Sequence, residues 1–290
     1  MPTVRLATRG SPQARTQTEA VAAALQAAGC EAELVLVETM GDRRQDVPLH
    51  AIGGQGVFVK EVQLAVLEGR ADAAVHSAKD LPSEPHPELL IAAFATRRDA
   101  ADALVGLALE DLPPGAPVAT GSVRRQAQLR VPRPDLEFRQ LRGNIATRLS
   151  KVPDGGAIVM AVAALQVLGL TDRIATRLDP VRFVPAVGQG CVAVEVRRDD
   201  PEIRSLVGLL DDAGTRQAVE VERAFLAELG SGCSLPVGGH VVGGRLHAFL
   251  ASSDRAGATV FAESVGLAGG VGDHDIARAV ARRAHRAVGW

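Results

Sequence analysis

Residues 3–29 read TVRLATRGSPQARTQTEAVAAALQAAG, and two periodicities meet in this stretch. Residues 3–8 alternate as a short strand. Ser11 and Pro12 then supply an N-cap and a proline at the first helical position, ahead of an Ala-rich amphipathic helix that runs to about Ala28 and stops at Gly29. A strand at 32–39, the Gly-rich loop Ile52-Gly53-Gly54-Gln55-Gly56, a helix over about 57–69 and a strand at 72–76 follow. Strands alternating with helices of this length predict βαβ units and a mostly parallel sheet.

The segment Leu112-Pro113-Pro114-Gly115-Ala116-Pro117 punctuates the chain, and a second alternating series begins after it. Strands are expected there at 117–120, 136–139 and 157–160, with helices at about 122–130, 144–151 and 161–168. After Val184-Pro185-Ala186-Val187-Gly188-Gln189-Gly190 come an apolar strand at 191–196 and helices at about 201–210 and 213–229. From about 235 the pattern reads as strands 236–242, 245–252 and 258–264 closed by a helix at 273–286, an α+β tail.

Composition narrows the function classes. At about 150 residues per domain, a chain of 290 residues suggests two domains or three small ones. Its 32 Lys+Arg balance 34 Asp+Glu to a net charge of −2, which argues against a basic nucleic-acid coat and against an acidic disordered tail. With no tyrosine and one tryptophan, Trp290, there is little with which to stack bases, so no nucleic-acid partner is expected. No apolar run reaches the roughly 18 residues that a bilayer span needs, and the N-terminus lacks the layout of a secretory signal. A cytoplasmic protein without a membrane partner is the expectation. Cys30, Cys191 and Cys233 are widely spaced and form no CxxC pair, so neither a disulfide framework nor a bound metal is expected.

Four turns carry the candidate chemistry. Arg9 and Ser11 lie at the first strand–helix junction, where a helix N-terminus favours anions and where Ser11 serves equally as a simple N-cap. His76-Ser77-Ala78-Lys79-Asp80 follows an apolar strand; a carboxylate beside a lysine suits stabilising a cation or moving protons, and also describes an ordinary loop ion pair. Thr120-Gly121-Ser122-Val123-Arg124-Arg125 puts two arginines at a helix start, a placement the macrodipole disfavours unless an anion sits there. Arg142 and Arg148 repeat the arrangement one βα unit later. Arginines at three comparable turns suggest a cleft for several carboxylates or phosphates. Cys233, among glycines on a loop, is more accessible than Cys30 or Cys191 and can act as a nucleophile or covalent anchor.

The order and spacing of ATRGSP (7–12), GGQGVFVKE (53–61), ADAAVHSAKDLP (71–82), TGSVRRQAQL (120–129), LRGNIATRL (141–149), PAVGQG (185–190) and GCSLPVG (232–238) resemble the porphobilinogen deaminase family, the hydroxymethylbilane synthases. The resemblance implies an α/β fold of two periplasmic-binding-protein-like domains plus a small C-terminal α+β domain. Residues 1–96 with 191–210 would form the first, 101–187 the second and 213–290 the third. It implies a monomeric transferase that condenses four porphobilinogen molecules head to tail, releasing ammonia, to give the linear tetrapyrrole hydroxymethylbilane. A dipyrromethane cofactor, joined by a thioether to Cys233, would prime the reaction. By motif match Asp80 is the catalytic carboxylate, and Arg9, Ser11, Phe58, Ser77, Lys79, Thr120, Ser122, Arg124, Arg125, Arg142 and Arg148 bind cofactor and substrate. Each pyrrole carries an acetate and a propionate, so a growing chain accumulates carboxylates that arginines must balance.

The chain departs from that family at Ala51, Gln55 and Val167, where cations are common, and Arg43 and Arg44 stand nearby as compensation. From another class, a two-domain protein that captures a small anion without chemistry fits the same turns, and it requires an unmodified Cys233. A LysR-type effector module lacks a preceding helix-turn-helix.

Overall fold

The computed structural model describes residues 2–39, 58–230 and 235–289. In chain order the first elements are β1 (Thr3–Arg9), α1 (Pro12–Ala27), β2 (Glu31–Val37), α2 (Lys60–Leu67), β3 (Ala73–Ser77), β4 (Leu89–Phe94), β5 (Asp102–Gly106) and β6 (Pro117–Ala119). Then come α3 (Val123–Arg130), β7 (Glu137–Arg139), α4 (Ile145–Leu149), β8 (Ala157–Ala161), α5 (Val162–Val167), β9 (Thr176–Arg177) and β10 (Val192–Arg197). The chain ends with α6 (Pro201–Gly208), α7 (Ala213–Glu228), β11 (Val237–Val242), β12 (Arg245–Ala251), β13 (Val260–Gly266) and α8 (Asp273–Val288). Two compact units result: Met1–Arg98 with Gly190–Gln217, and Asp99–Gln189 with Ala218–Trp290.

The first unit is a five-stranded sheet in the order β2-β1-β3-β10-β4. β1 runs parallel to β2 and β3, whereas β10 is antiparallel to β3 and β4. Strand alternation sends side chains to two apolar layers. Val4, Leu6, Ala73, Val75, Val194 and Val196 pack on Val21, Ala22 and Leu25 of α1 and Val207 of α6. On the other face Ala7, Val37, Ala74 and Leu89 meet Val62, Ala65 and Val66 of α2. α1 starts as its sequence requires: the Ser11 hydroxyl accepts the Ala14 N–H at 3.3 Å and Pro12 occupies the first turn.

The second unit holds two sheets. One has the order β7-β6-β8-β5-β9, with β6 parallel to β7 and β8 and with β5 antiparallel to β8 and β9. The other is the antiparallel meander β11-β12-β13. Leu246, Ala248 and Leu250 of β12 pack on Val221 and Phe225 of α7 and on Ala277, Val280, Ala281 and Ala284 of α8. Phe249 and Ala251, pointing to the opposite face, close on Ala127 of α3 and Val184. The fold is two α/β domains and a small C-terminal α+β domain.

Both large sheets are mixed rather than mostly parallel. Reading alternating strands and helices reveals local βαβ connections only; the antiparallel partners β10 and β5 enter through long-range pairing. β4, β5 and β9 are additional to the strands expected from sequence. The proline-rich segment 112–117 links β5 to β6 inside the second unit, so the second α/β series begins before it.

Where β5 leaves the sheet, Gly106 has φ +117°, and a Cβ there would lie 2.6 Å from the Gly156 carbonyl oxygen. Gly106→Ala is expected to cost about 1–3 kcal/mol from backbone strain, with the clash adding to it. Urea unfolding of the variant beside the parent checks this, and an unchanged midpoint would show that the turn relaxes.

Candidate active site

Open sheets bind ligands outside the carboxyl ends of their parallel strands, where the following helices begin. In the first unit β1 ends at Arg9, whose guanidinium carbon stacks 4.0 Å from the centroid of the Phe58 ring. β3 ends at Ser77 and passes into a single 3₁₀ turn, Ala78–Asp80. Two bonds tie this turn down: the Ala78 N–H donates to the Cys191 carbonyl at 2.9 Å, and the Ser77 hydroxyl donates to Gln17 Oε1 of α1 at 3.0 Å. Arg9, Ser11, Phe58, Ser77, Lys79 and Asp80 are all half-buried, neither sealed in the core nor fully solvated. Among the described residues, no hydrogen bond or ion pair engages the Asp80 carboxylate.

In the second unit the turns after β6 and β7 abut. A Cβ on Gly121 would lie 2.9 Å from the Leu141 carbonyl, so only glycine allows this approach. Thr120 is buried and its hydroxyl accepts the Ser122 N–H at 3.2 Å; Ser122 in turn caps α3 by accepting the Arg125 N–H at 3.4 Å. After β7, Asn144 caps α4 through the Thr147 N–H at 3.0 Å, and Arg148 Nε donates to the Gly143 carbonyl at 2.7 Å. Arg142 and Arg148 are half-buried.

Arg124 and Arg125 are placed differently, at 5% and 9% exposure. Both close on Asp102 of β5, which is 1% exposed: Arg124 Nη2 lies 2.8 Å from one carboxylate oxygen and Arg125 Nη2 2.7 Å from the other. Gln189 Nε2 adds a third donor to Asp102 at 2.9 Å, Arg124 Nη1 donates to the Val184 carbonyl at 2.8 Å, and Arg125 Nη1 to the Val159 carbonyl at 3.0 Å. Burial alone would raise the Asp102 pKa, but the two guanidinium charges and the bonds from Arg125 and Gln189 outweigh it and hold the carboxyl far below its usual range. Burial pushes the Arg124 pKa down, against the attraction of Asp102. The anion that two arginines at a helix start require is thus supplied by the protein itself.

Local sequence pattern does not mark Asp102 and Gln189 as partners of the arginine pair. The available signal was a lone carboxylate in the apolar stretch Ala100-Ala101-Asp102-Ala103-Leu104-Val105, which demands a buried partner. Cys233, with Ala51, Gln55, Arg43 and Arg44, lies outside the described residues. Val167 closes α5 and is half-buried.

Residues 4–205 match the family model described as "Porphobilinogen deaminase, dipyromethane cofactor binding domain", and 216–286 match "Porphobilinogen deaminase, C-terminal domain". The chain belongs to the porphobilinogen deaminase family. Its relatives include porphobilinogen deaminases from Acidothermus cellulolyticus, 49% identical over 90% of this chain and 82% of the relative, and from Stenotrophomonas maltophilia, 49% identical over 92% of each. One from Xanthomonas oryzae is 52% identical over 82% of this chain and 80% of its own. Among solved structures, the methionine-binding protein MetQ aligns at a TM-score of 0.46 and 12% identity, covering 74% of this chain and 92% of its own. Family membership makes the chain a transferase of porphyrin biosynthesis with a dipyrromethane cofactor.

For this family member the arginine pair yields a stability test. Removing the Asp102 charge leaves two buried guanidinium groups uncompensated, so Asp102→Asn is expected to cost about 3–5 kcal/mol. Because the folded pKa lies below the unfolded value of about 3.9, the charge stabilises fully above about pH 4, and that contribution is lost as pH falls through the folded value. Urea unfolding from pH 7 downward should show a constant gap between parent and variant that narrows only below about pH 4. A gap that stays constant to the acid limit would count against an ionised Asp102.

Proposed function

We propose that this chain condenses four porphobilinogen molecules head to tail into hydroxymethylbilane, with Asp80 as the catalytic carboxylate and Cys233 as the cofactor anchor. The observation that carries this reading is the half-buried carboxylate of Asp80, which no described side chain engages, held directly after Lys79 on the short turn that follows β3. Loss of ammonia breaks a C–N bond of porphobilinogen and leaves positive charge delocalised onto the pyrrole nitrogen. A carboxylate within reach of that N–H stabilises the charge as it develops and accepts the hydrogen bond. The carboxylate acts so in its ionised form.

The donor set fits a dipyrromethane. Its acetate and propionate groups call for cations and hydroxyls; in the first unit Arg9, Ser11, Ser77 and Lys79 offer them at strand ends, with Phe58 offering a ring face, and in the second unit Thr120, Ser122, Arg142 and Arg148 do so. When bound, the cofactor supplies the pyrrole carbon to which the first substrate unit is joined. Arg124 and Arg125 serve this arrangement by holding α3 and its Ser122 cap against Asp102. The reading extends to three domains, 1–96 with 191–210, 101–187 and 213–290, in a monomeric cytoplasmic protein that engages neither nucleic acid nor membrane. Its balanced charge accords with the lack of a nucleic-acid partner, and among the described residues no helix is long and apolar enough to cross a membrane.

Intact mass of the purified protein beside Cys233→Ala tests the anchor: the parent should exceed the variant, beyond the substitution itself, by two condensed pyrrole units. A parent that carries no adduct, even after incubation with porphobilinogen, would favour an anion-binding protein without chemistry. Asp80→Asn should retain the adduct and lose at least about 100-fold in turnover.

A further inference from the structure

Three polar side chains are buried beneath the turn that carries Asp80, on the face of the first sheet that packs against α2. Strand alternation puts His76 of β3 on the same side as Ala74, which belongs to the apolar layer with Val62, Ala65 and Val66. Glu195 of β10 faces the same way, since its neighbours Val194 and Val196 point to the opposite layer. His76 is 6% exposed and Glu195 2%. Glu195 Oε2 accepts a hydrogen bond from Gln63 Nε2 of α2 at 2.8 Å and lies 3.1 Å from His76 Nε2. That ring nitrogen has no other partner among the described residues, and it is not aligned for a straight hydrogen bond.

Such a trio is poorly explained by stability alone. Taking a carboxylate, an imidazole and an amide out of water costs free energy that an apolar trio would not incur, so buried polar groups are weak evidence for stability and better evidence for a specified geometry. What lies above them is the strand end. His76 directly precedes Ser77, and the turn Ala78–Asp80 follows at once. Since no described side chain engages the Asp80 carboxylate, its position depends on how the backbone is held. The backbone is gripped on the α1 face by Ser77 and Gln17, at the edge by Ala78 N–H and the Cys191 carbonyl, and on the α2 face by His76.

We infer that Glu195, together with His76 and Gln63, is a positioning residue for Asp80, joining β3, β10 and α2 so that the turn presents the carboxylate in one place. The inference rests on the reading of Asp80 as the catalytic carboxylate. Small misplacements of a reacting group can cost about 100-fold in rate without loss of binding. Glu195 therefore acts on turnover rather than on substrate affinity or cofactor loading.

The test compares Glu195→Leu and Glu195→Gln in the parent and in an Asp80→Asn background, with kcat expressed per cofactor-loaded chain counted by intact mass. Glu195→Leu is expected to lower kcat by about 10- to 100-fold in the parent, with KM for porphobilinogen within about twofold and loading unchanged. Glu195→Gln, which keeps the shape beside His76 and an acceptor oxygen for Gln63, should restore most of the rate. In the Asp80→Asn background Glu195→Leu should have no further effect, because the group it positions is already gone. A loaded Glu195→Leu protein with parental kcat, or equal losses in both backgrounds, would overturn the inference. If Glu195→Leu does not accumulate folded, Gln63→Met, which removes only the α2 contribution, replaces it with the same criteria. Parental turnover in Asp80→Asn itself would instead overturn the reading of Asp80.

Discussion

Asp102 is the contact on which the second unit's functional turns depend. It binds two adjacent arginines of α3 and the Gln189 amide, and it joins β5 to the start of α3 and to the segment 185–190. The interior makes each attraction strong and any lost partner costly, so the three segments stay in register together or not at all. Ser122 caps α3 by accepting the N–H of Arg125, one of the clamped residues, and Thr120 Oγ1 holds the N–H of Ser122. A buried ion cluster thereby sets the position of the buried Thr120 hydroxyl and of the half-buried Ser122 hydroxyl.

The same strategy recurs in the first unit with weaker charges. There the strand end carrying Ser77, Lys79 and Asp80 is fixed by an amide, an imidazole, a carboxylate and one backbone bond. Both large sheets combine two parallel pairings with two antiparallel ones, in the same spatial sequence. In each, the parallel strands deliver their carboxyl ends to helix starts, and the antiparallel strands β10 and β5 carry the buried carboxylates Glu195 and Asp102 that brace those ends. Candidate side chains sit on short turns, and rigid strands two or three residues away do the holding.

The parts of this arrangement that were legible in sequence are the local ones. Ser11-Pro12 announces a helix start through capping chemistry that depends on neighbours within three residues, and the structure uses Ser11 in that way; Ser122 and Asn144 cap their helices by the same local chemistry. The turns bearing Arg9, Asp80, Thr120 and Arg142 were legible because each lies at the end of a short predicted strand. What local pattern cannot encode is which strands pair at long range. β10 joins β3 and β4 from about a hundred residues downstream, and β5 is a short apolar run without alternation. The partner of Arg124 and Arg125 was hidden for the same reason. The macrodipole argument required an anion at that helix start but could not say that Asp102, some twenty residues earlier, would provide it.

That internal pairing changes how the remaining cations must work. With Arg124 and Arg125 directed to Asp102, the proposed ligand-binding role rests on Arg9 and Lys79 in the first unit and on Arg142 and Arg148 in the second. Flexible arginines would each lose rotamer entropy on binding. Here the Arg9 guanidinium carbon lies over the Phe58 ring and Arg148 is fastened through Nε to the Gly143 carbonyl, so part of that ordering is complete before a ligand arrives. Arg148 leans on a backbone that only glycine can supply: Gly143 has φ +111°, and a Cβ there would meet Thr147 Cγ2 at 2.7 Å. Fewer cations, each held by a ring or a carbonyl, can match a larger and looser set because preorganisation lowers the entropy lost per contact.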